Sequence, residues 1–463
     1  MIFDFFEKQR RALGLEGTGQ WITTNWTGPR NALTNDPRAA EILDISGIDF
    51  YHPSDSRPGH WKYLGYQLDL NRSVHRDNGF LVMEVGIGVT GNTSMSQFTD
   101  WAGGAMIQQD RFFMQNVFPA AFGASGLLYW TGNRIQGSHA PYYGGVINRD
   151  GEPELEYPWV QDVGKFFKKW GAELIANPVK SSVAVYTDFN QRAALEVVDH
   201  VEGSNDILVE CFDVFHKMGI GVDAINDTQV IDDETLNRYS MIILATASIM
   251  GDAKRLNALR AYVKQGGTLL ITPLTDYLTG NGIFMNAIGS NIKNLSGTEI
   301  RTTRMFGGPT AKDYELPRIV MKDSNRTAPK MEMKGLAEFL EPVKNTEVLA
   351  RFESDATILD GYPAITRKKI NKGATIKLAF WPDSDFLFAF LTAFLGEESL
   401  VIERPDLGIH IVPRTDGSYF IVNTNNEPQE VSLKEASKNR IDGKTFSKKA
   451  SLKPYEVLWL DRL

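Results

Sequence analysis

Four short apolar runs, each closing in polar or aromatic residues and each followed by a helix-compatible stretch, confine the first 177 residues to few folds. They are Gln20 to Asn25, closing in Thr23-Thr24-Asn25-Trp26; Ile48 to Tyr51, closing in His52-Pro53; Leu81 to Val85, which carries Glu84; and Gly126 to Trp130, closing in Thr131-Gly132-Asn133-Arg134. Helices are expected at Pro37 to Leu43, Gly59 to Val74 and Gly103 to Phe122, the last with Met106, Phe113 and Val117 at helical spacing. Apolar strands alternating with helices make a parallel sheet covered on both faces. In a (β/α)8 barrel the residues at the C-terminal strand ends do the chemistry, and Glu84 stands at such an end, just before Gly86 and Gly88. A carboxylate there is a candidate nucleophile or general base. A closed barrel needs eight strands and only four precede the change in composition near Pro178, so the expectation is the C-terminal half of a (β/α)8 barrel, part of a longer architecture. An opened barrel exposes a parallel edge at each end and invites association.

A second αβ region begins after Ala176-Asn177-Pro178. Strands are expected at Val183 to Tyr186, Val222 to Ile225, Met241 to Ala245 and Gly267 to Thr272, with helices at Asp206 to Met218 and Ala253 to Lys264, a small doubly wound domain. From Arg301 to about Lys377 the pattern becomes alternating and turn-rich, an insertion of antiparallel strands, before a last apolar helix at Phe386 to Phe394. Short strands then follow at Ile409 to Pro413, Tyr419 to Asn423, Gln429 to Leu433 and Glu456 to Leu460, separated by Asp416-Gly417, Asn425-Asn426 and Asp442-Gly443. They read as a small antiparallel β-sandwich. The expected division is 1–177, 178–397 and 398–463, an α/β chain with a β domain at its end.

Composition closes off other classes. A formal charge of -8 with no Lys/Arg cluster argues against nucleic-acid and anionic-membrane partners. Lys165, Lys168 and Lys169 read as a solvated helix face. No window approaches a membrane span. The first residues are interrupted by Asp4, Glu7, Lys8, Arg10 and Arg11, unlike a signal peptide, and a single cysteine, Cys211, fits a reducing compartment; a cytoplasmic location is expected. Cys211 falls inside a helical pattern, where it belongs to the core. Nothing points to a cofactor, and His52 and His139 lack a Cys or His partner at ligand spacing, so no metal is expected.

The ordered set of motifs resembles glycoside hydrolase family 42, the β-galactosidases built from a barrel, a trimerisation domain of amidotransferase-like fold and a C-terminal β domain. The resemblance runs through Thr23-Thr24-Asn25, Met83-Glu84, Tyr129-Trp130, Gly144-Gly145-Val146 with Asp150-Gly151, Gln265-Gly266-Gly267-Thr268-Leu269-Leu270 and Val457-Leu458-Trp459-Leu460. It implies a retaining glycosidase acting on a β-galactoside, a homotrimer, and Glu84 as nucleophile at barrel strand seven, so that the four units become strands five to eight. The family's acid/base glutamate, preceded by asparagine at strand four, would then lie upstream of Met1 or on another polypeptide supplying the missing barrel half. The only Asn-Glu pair here, Asn426-Glu427, sits in a turn of the β domain. The chain also departs from the family where a sugar-binding glutamate and histidine are usual, reading Ala140-Pro141-Tyr142-Tyr143, and shows Asn92-Thr93-Ser94 where a tryptophan is common.

Retaining hydrolysis needs two carboxyl groups about 5 to 5.5 Å apart, one attacking the anomeric carbon and one protonating the leaving oxygen. Asn25, Tyr51 and Arg134 are the candidate donors around Glu84, and Trp130 can stack on a sugar face. Each has a plainer reading: a turn residue for Asn25, half-buried packing for Tyr51, barrel core for Trp130, a structural ion pair for Arg134. Glu152, Glu154 and Glu156 read as a solvated loop. Two other functions stay open, a non-catalytic oligomerisation or carbohydrate-binding remnant and a hydrolase of another β-linked sugar.

Overall fold

The structure, a computed structural model, describes residues 2–14, 18–27, 41–51, 58–75, 79–87, 108–136, 144–187, 204–245, 247, 249–306, 318–321, 335–355 and 358–463. Helix α1 (Ile2–Ala12) precedes four strands, β1 (Asn25–Thr27), β2 (Ser46–Phe50), β3 (Phe80–Gly86) and β4 (Ala124–Trp130). Helix α2 (Pro58–Val74) joins β2 to β3, α3 (Gln109–Ala121) lies between β3 and β4, and α4 (Tyr157–Ala176) follows β4. The strands are parallel and adjacent in chain order, as in a barrel wall. Their outer face is apolar because it is covered: Ile48, Phe50, Phe80, Val82 and Val85 share one core with Trp61, Leu64 and Leu68 of α2 and Val117 and Phe118 of α3.

The first strand begins where its expected counterpart ended. Instead of extending a ladder, Ile22 exchanges hydrogen bonds with Asp44, its amide donating to the Asp44 carboxylate at 2.8 Å and its carbonyl accepting from the Asp44 amide at 2.9 Å. An edge strand has a pairing neighbour on one side only, and here this local alternative replaces the ladder. Of the helix expected at Pro37 to Leu43, residues 37–40 lie outside the described residues, as do residues 103–107 of the one expected to end at Phe122.

The middle of the chain runs β5 (Ser181–Tyr186), α5 (Ser204–Met218), β6 (Gly221–Ile225), β7 (Met241–Leu244), α6 (Ala253–Gln265), β8 (Thr268–Ile271), β9 (Thr298–Phe306), β10 (Arg318–Met321), β11 (Gly335–Pro342), β12 (Glu347–Glu353), β13 (Pro363–Ile370), β14 (Gly373–Leu378) and α7 (Ser384–Leu395). Strands β6, β5, β7, β8 and β14 are neighbours in that order and parallel, with α5 on one face and α6 on the other, the doubly wound arrangement. The antiparallel strands do not stand apart from it. Strands β13, β12 and β10 continue the sheet beyond β14 to eight strands, while β9 and β11 pair separately. Cys211 lies within α5, buried, and burial pushes its thiol up to about 12.

The last region holds β15 (Ile409–Pro413), β16 (Tyr419–Asn423), β17 (Gln429–Ser432), β18 (Ser437–Asn439), β19 (Thr445–Phe446), β20 (Lys449–Leu452) and β21 (Val457–Arg462). Five of them form the sheet β15-β16-β21-β18-β19, and β17 pairs with β20. Strands β18 to β20 are additions to the expected set; they are short and carry few apolar residues.

Helix α2 has apolar faces in two directions. Trp61, Leu64 and Leu68 pack on the four-stranded sheet, whereas Tyr66 and Leu70 join Leu208, Phe212 and Phe215 of α5. Its buried charges are answered from the middle region: Arg72 pairs with Asp69 one turn away and with Asp223 at 3.0 Å, and Asp69 also meets His216 Nε2 at 2.6 Å. The C-terminal sheet shares the same core as the first region, with Trp459 packed edge-on against Trp170 at 5.4 Å and stacked on Phe420 at 4.9 Å.

Arg414, buried at the end of β15, donates to the carbonyls of Ala120 and Ala121 at 3.4 and 3.0 Å and to that of Leu174. It thus caps the C-terminal turns of α3 and α4, where the helix dipole favours a cation. Burial lowers its pKa to about 10, so it stays charged at neutral pH. Arg414→Ala leaves these acceptors buried and is expected to cost about 3 kcal/mol or more, read as a lowered urea midpoint. An unchanged midpoint would remove Arg414 from this role.

Candidate active site

Strict alternation along β3 would send Glu84 to the same face as Phe80 and Val82, into the helix-covered core. A bulge prevents this. On the β2 side the register passes from Ile48↔Val82 to Asp49↔Glu84, and on the β4 side from Val82↔Leu127 to Val85↔Tyr129, so β3 holds one residue more than either neighbour between Val82 and Val85. The extra residue resets the phase: Met83 and Glu84 are both half-buried, and Val85 returns to the core.

Two donors hold the re-aimed carboxylate. Asn25 Nδ2, at the start of β1, donates to Glu84 Oε1 at 3.3 Å, and the hydroxyl of Tyr51, one residue past β2, donates to Oε2. Close approach of the strands here depends on Gly47, where a Cβ would stand 2.6 Å from the Thr24 carbonyl oxygen and 2.8 Å from Met83 Cγ.

A second carboxyl group lies beneath the first. Asp49 pairs in register with Glu84, is 9% exposed, and among the described residues its Oδ1 has no hydrogen-bond partner. Burial pushes its pKa from 3.8 up to about 6, with the Glu84 charge adding to the rise and the Asn25 amide opposing it. Asp49 was absent from the sequence-based candidates, although it stands two residues before Tyr51 and the period of two along β2 puts both on one face.

The strand ends bring some of the other candidates near and turn others away. Trp130, in register with Gly86, closes β4 and is 39% exposed, and Leu128 on the same face is also exposed. Arg134 instead pairs with Glu154 at 2.9 Å, so Glu154 is a structural partner and not a solvated loop residue. That loop is tied down by backbone bonds from Val146 to Thr131 at 3.1 Å, Ile147 to Gly132 at 2.9 Å and Arg134 to Ile147 at 2.8 Å. A side chain at Gly145 would strike the Arg134 amide at 2.6 Å, which explains the glycine in Gly144-Gly145-Val146. His52, Asn92, Thr93, Ser94, His139, Ala140, Pro141, Tyr142 and Tyr143 lie outside the described residues.

Three consecutive models of one family match the chain: "Beta-galactosidase" at residues 1–170, "Beta-galactosidase trimerisation domain" at 181–401 and "Beta-galactosidase C-terminal domain" at 408–462. The chain belongs to glycoside hydrolase family 42. Family resemblance and fold are as the motifs implied: a barrel portion, a trimerisation domain and a C-terminal β domain. Among curated relatives, the β-galactosidase BgaP of Planococcus sp. (strain L4) is 23% identical, over 94% of this chain and 62% of its own length. BgaB of Geobacillus sp. (strain Y412MC61) is also 23% identical, over 92% and 60%. The chain therefore spans roughly 60% of such relatives. Solved structures share the fold: the β-galactosidase of Bacillus circulans sp. alkalophilus superposes with a TM-score of 0.84 at 21% identity, and Gan42B, a family 42 β-galactosidase, with 0.83 at 21%, each over 100% of this chain and 66% of the other.

The raised Asp49 pKa has a defined consequence for stability. Between pH 4 and 6 the unfolded chain gives up this proton while the folded chain keeps it, so the Asp49 contribution to stability falls as pH rises through that window. Asp49→Asn removes the charge, and its thermal midpoint relative to wild type is expected to rise from pH 4 to pH 7. A difference that stays flat with pH would show that Asp49 ionises as if exposed.

Proposed function

We propose that this chain carries the nucleophile side of a β-galactosidase-type retaining glycoside hydrolase, with Glu84 as the attacking carboxylate. The observation that supports this most directly is the β3 bulge, which turns Glu84 out of the core and between the Asn25 amide and the Tyr51 hydroxyl at the strand ends of a family 42 barrel sheet. A carboxylate fixed by two donors keeps one lone pair aimed while it attacks the anomeric carbon. The products of that step are a glycosyl ester on Glu84 and a leaving group that takes a proton from a second carboxyl group; water then hydrolyses the ester. In this reading Asn25 and Tyr51 position the nucleophile and Trp130 offers an apolar ring to one sugar face. Arg134, held by Glu154, shapes the loop after β4 and so contributes to sugar binding indirectly.

The proton donor is the open part of the mechanism. The sheet described here has four strands, and Glu427, in the Asn-Glu pair, is exposed in the β domain. We assign the acid/base to four further barrel strands, on whichever polypeptide they reside, which would pair with β1 and β4. We further assign boundaries of 1–177, 178–397 and 398–463, a homotrimer assembled through the middle domain, a β-galactoside as substrate, and the cytoplasm as the location, with which the unpaired Cys211 is compatible. Among the described residues no helix is long and apolar enough to cross a membrane.

The test is complementation. Residues 1–463 alone are expected to hydrolyse an aryl β-galactoside negligibly, and addition of a polypeptide carrying strands one to four should restore turnover. In the restored assembly Glu84→Gln should lower kcat by on the order of 10³-fold or more. Brisk hydrolysis by the chain alone, or unchanged turnover in the variant, would reject the assignment.

A further inference from the structure

At the seam of the three regions lies a cluster that the glycosidase chemistry does not use. Asp213 and His216, one turn apart on α5, meet His410 from β15 behind α2, and all three side chains are buried. One ligand-capable atom from each lies within 4.8 Å of the others. Such a grouping could be mere packing, so the hydrogen-bond inventory matters. Among the described residues neither ring nitrogen of His410 has a hydrogen-bond partner, nor does His216 Nδ1, and the Asp213 carboxylate has one ion-pair partner, Lys217. Lys217 Nζ stands 3.5 Å from Asp213 Oδ1 but donates to the Ile409 carbonyl at 2.6 Å.

Leaving this many polar atoms dry is costly, about 1–3 kcal/mol for each unsatisfied group. The rings cannot rotate away to solvent, because Phe118 packs edge-on to His410 at 5.1 Å and Phe122 to His216 at 5.0 Å. The outer nitrogen of His216 is already committed, 2.6 Å from Asp69 Oδ2, and Asp69 is itself held by Arg72. That is the arrangement by which a carboxylate fixes the tautomer and orientation of a metal-binding histidine, leaving Nδ1 with its lone pair free.

We propose that Asp213, His216 and His410 form a binding site for a divalent transition cation, zinc by preference, which clasps the barrel portion, the middle domain and the C-terminal domain together. Two imidazoles and one carboxylate suit zinc in chemistry and number, with water completing four-coordination. Four-coordinate zinc sets its donors roughly 3.4 Å apart, so small side-chain movements close the present spacing. The role is structural: all three ligands are buried, and the site supplies cohesion between domains. Its ligands come from two domains and its second-shell carboxylate from a third, so the folded junction itself creates the site.

The experiment needs no enzymatic activity. The untagged chain, expressed with zinc and dialysed, is expected to retain about one zinc per chain by elemental analysis. Chelation should lower the thermal midpoint by on the order of 5 °C, and added zinc should restore it. His410→Gln and Asp213→Asn should lose both the metal and the zinc-dependent shift. If those variants do not fold, cobalt added to the chelated wild type decides: an intense tetrahedral visible spectrum supports the site, and a weak octahedral one overturns it. A metal-free wild type whose midpoint ignores zinc also overturns it, as does a folded His410→Gln chain that keeps its metal; water would then fill the cluster.

Discussion

Helix α2 cannot be folded by one domain. Its two apolar faces need different partners, and Asp69 and Arg72, both buried and paired with each other, each take a further partner from outside the helix. From the middle region, His216 Nε2 meets Asp69 at 2.6 Å and Asp223 pairs with Arg72 at 3.0 Å. A buried ion pair contributes little net stability when complete, yet removing one member leaves an uncompensated charge in the interior at a cost of about 3–5 kcal/mol. The charges thus specify how the barrel portion docks, while the hydrophobic contacts provide the attraction. Arg414 repeats the device from the opposite side, tying two helix ends to the β domain.

Docking of this kind matters because an open parallel sheet is a poor foundation for a site. The outer face of the sheet gains a continuous core with α2, α3 and the C-terminal strands, which leaves the inner face rigid enough to carry polar groups. The bulge then decides which side Glu84 faces, and Gly47 lets the neighbouring backbone close around it. Asp49 is the cost of this crowding, a second carboxyl group pressed into the same corner and driven toward its neutral form.

Much of the architecture was legible because buried parallel strands are written as apolar runs. β2 to β8 fall within a few residues of those runs, and the family resemblance rested on the ends of the same strands. The exceptions share a cause: they depend on partners distant in sequence. Gln20 to Thr24 has strand-like residues but lies where Asp44 can capture the backbone. Strands β18 to β20 are held by pairing and not by apolar content. The bulge is a property of three strands taken together, so no pattern within Leu81 to Val85 reveals it. Asn25 and Tyr51 were readable from their strand-end positions; the engagement of Arg134 by Glu154 was not, since both belong to irregular segments. The histidine cluster is the extreme case, with His410 far along the chain from Asp213 and His216.

Trp459, on the last strand, is packed into the same core as the strand that bears Glu84. Modular inheritance is therefore restricted. A recombination event that exchanged the terminal β domain would bring in a stranger's residue opposite Trp170 and Phe420, and the mismatch would be felt beneath the sheet that holds the carboxylate. Selection on the distant end of the gene is, in this sense, selection on the sheet that carries Glu84.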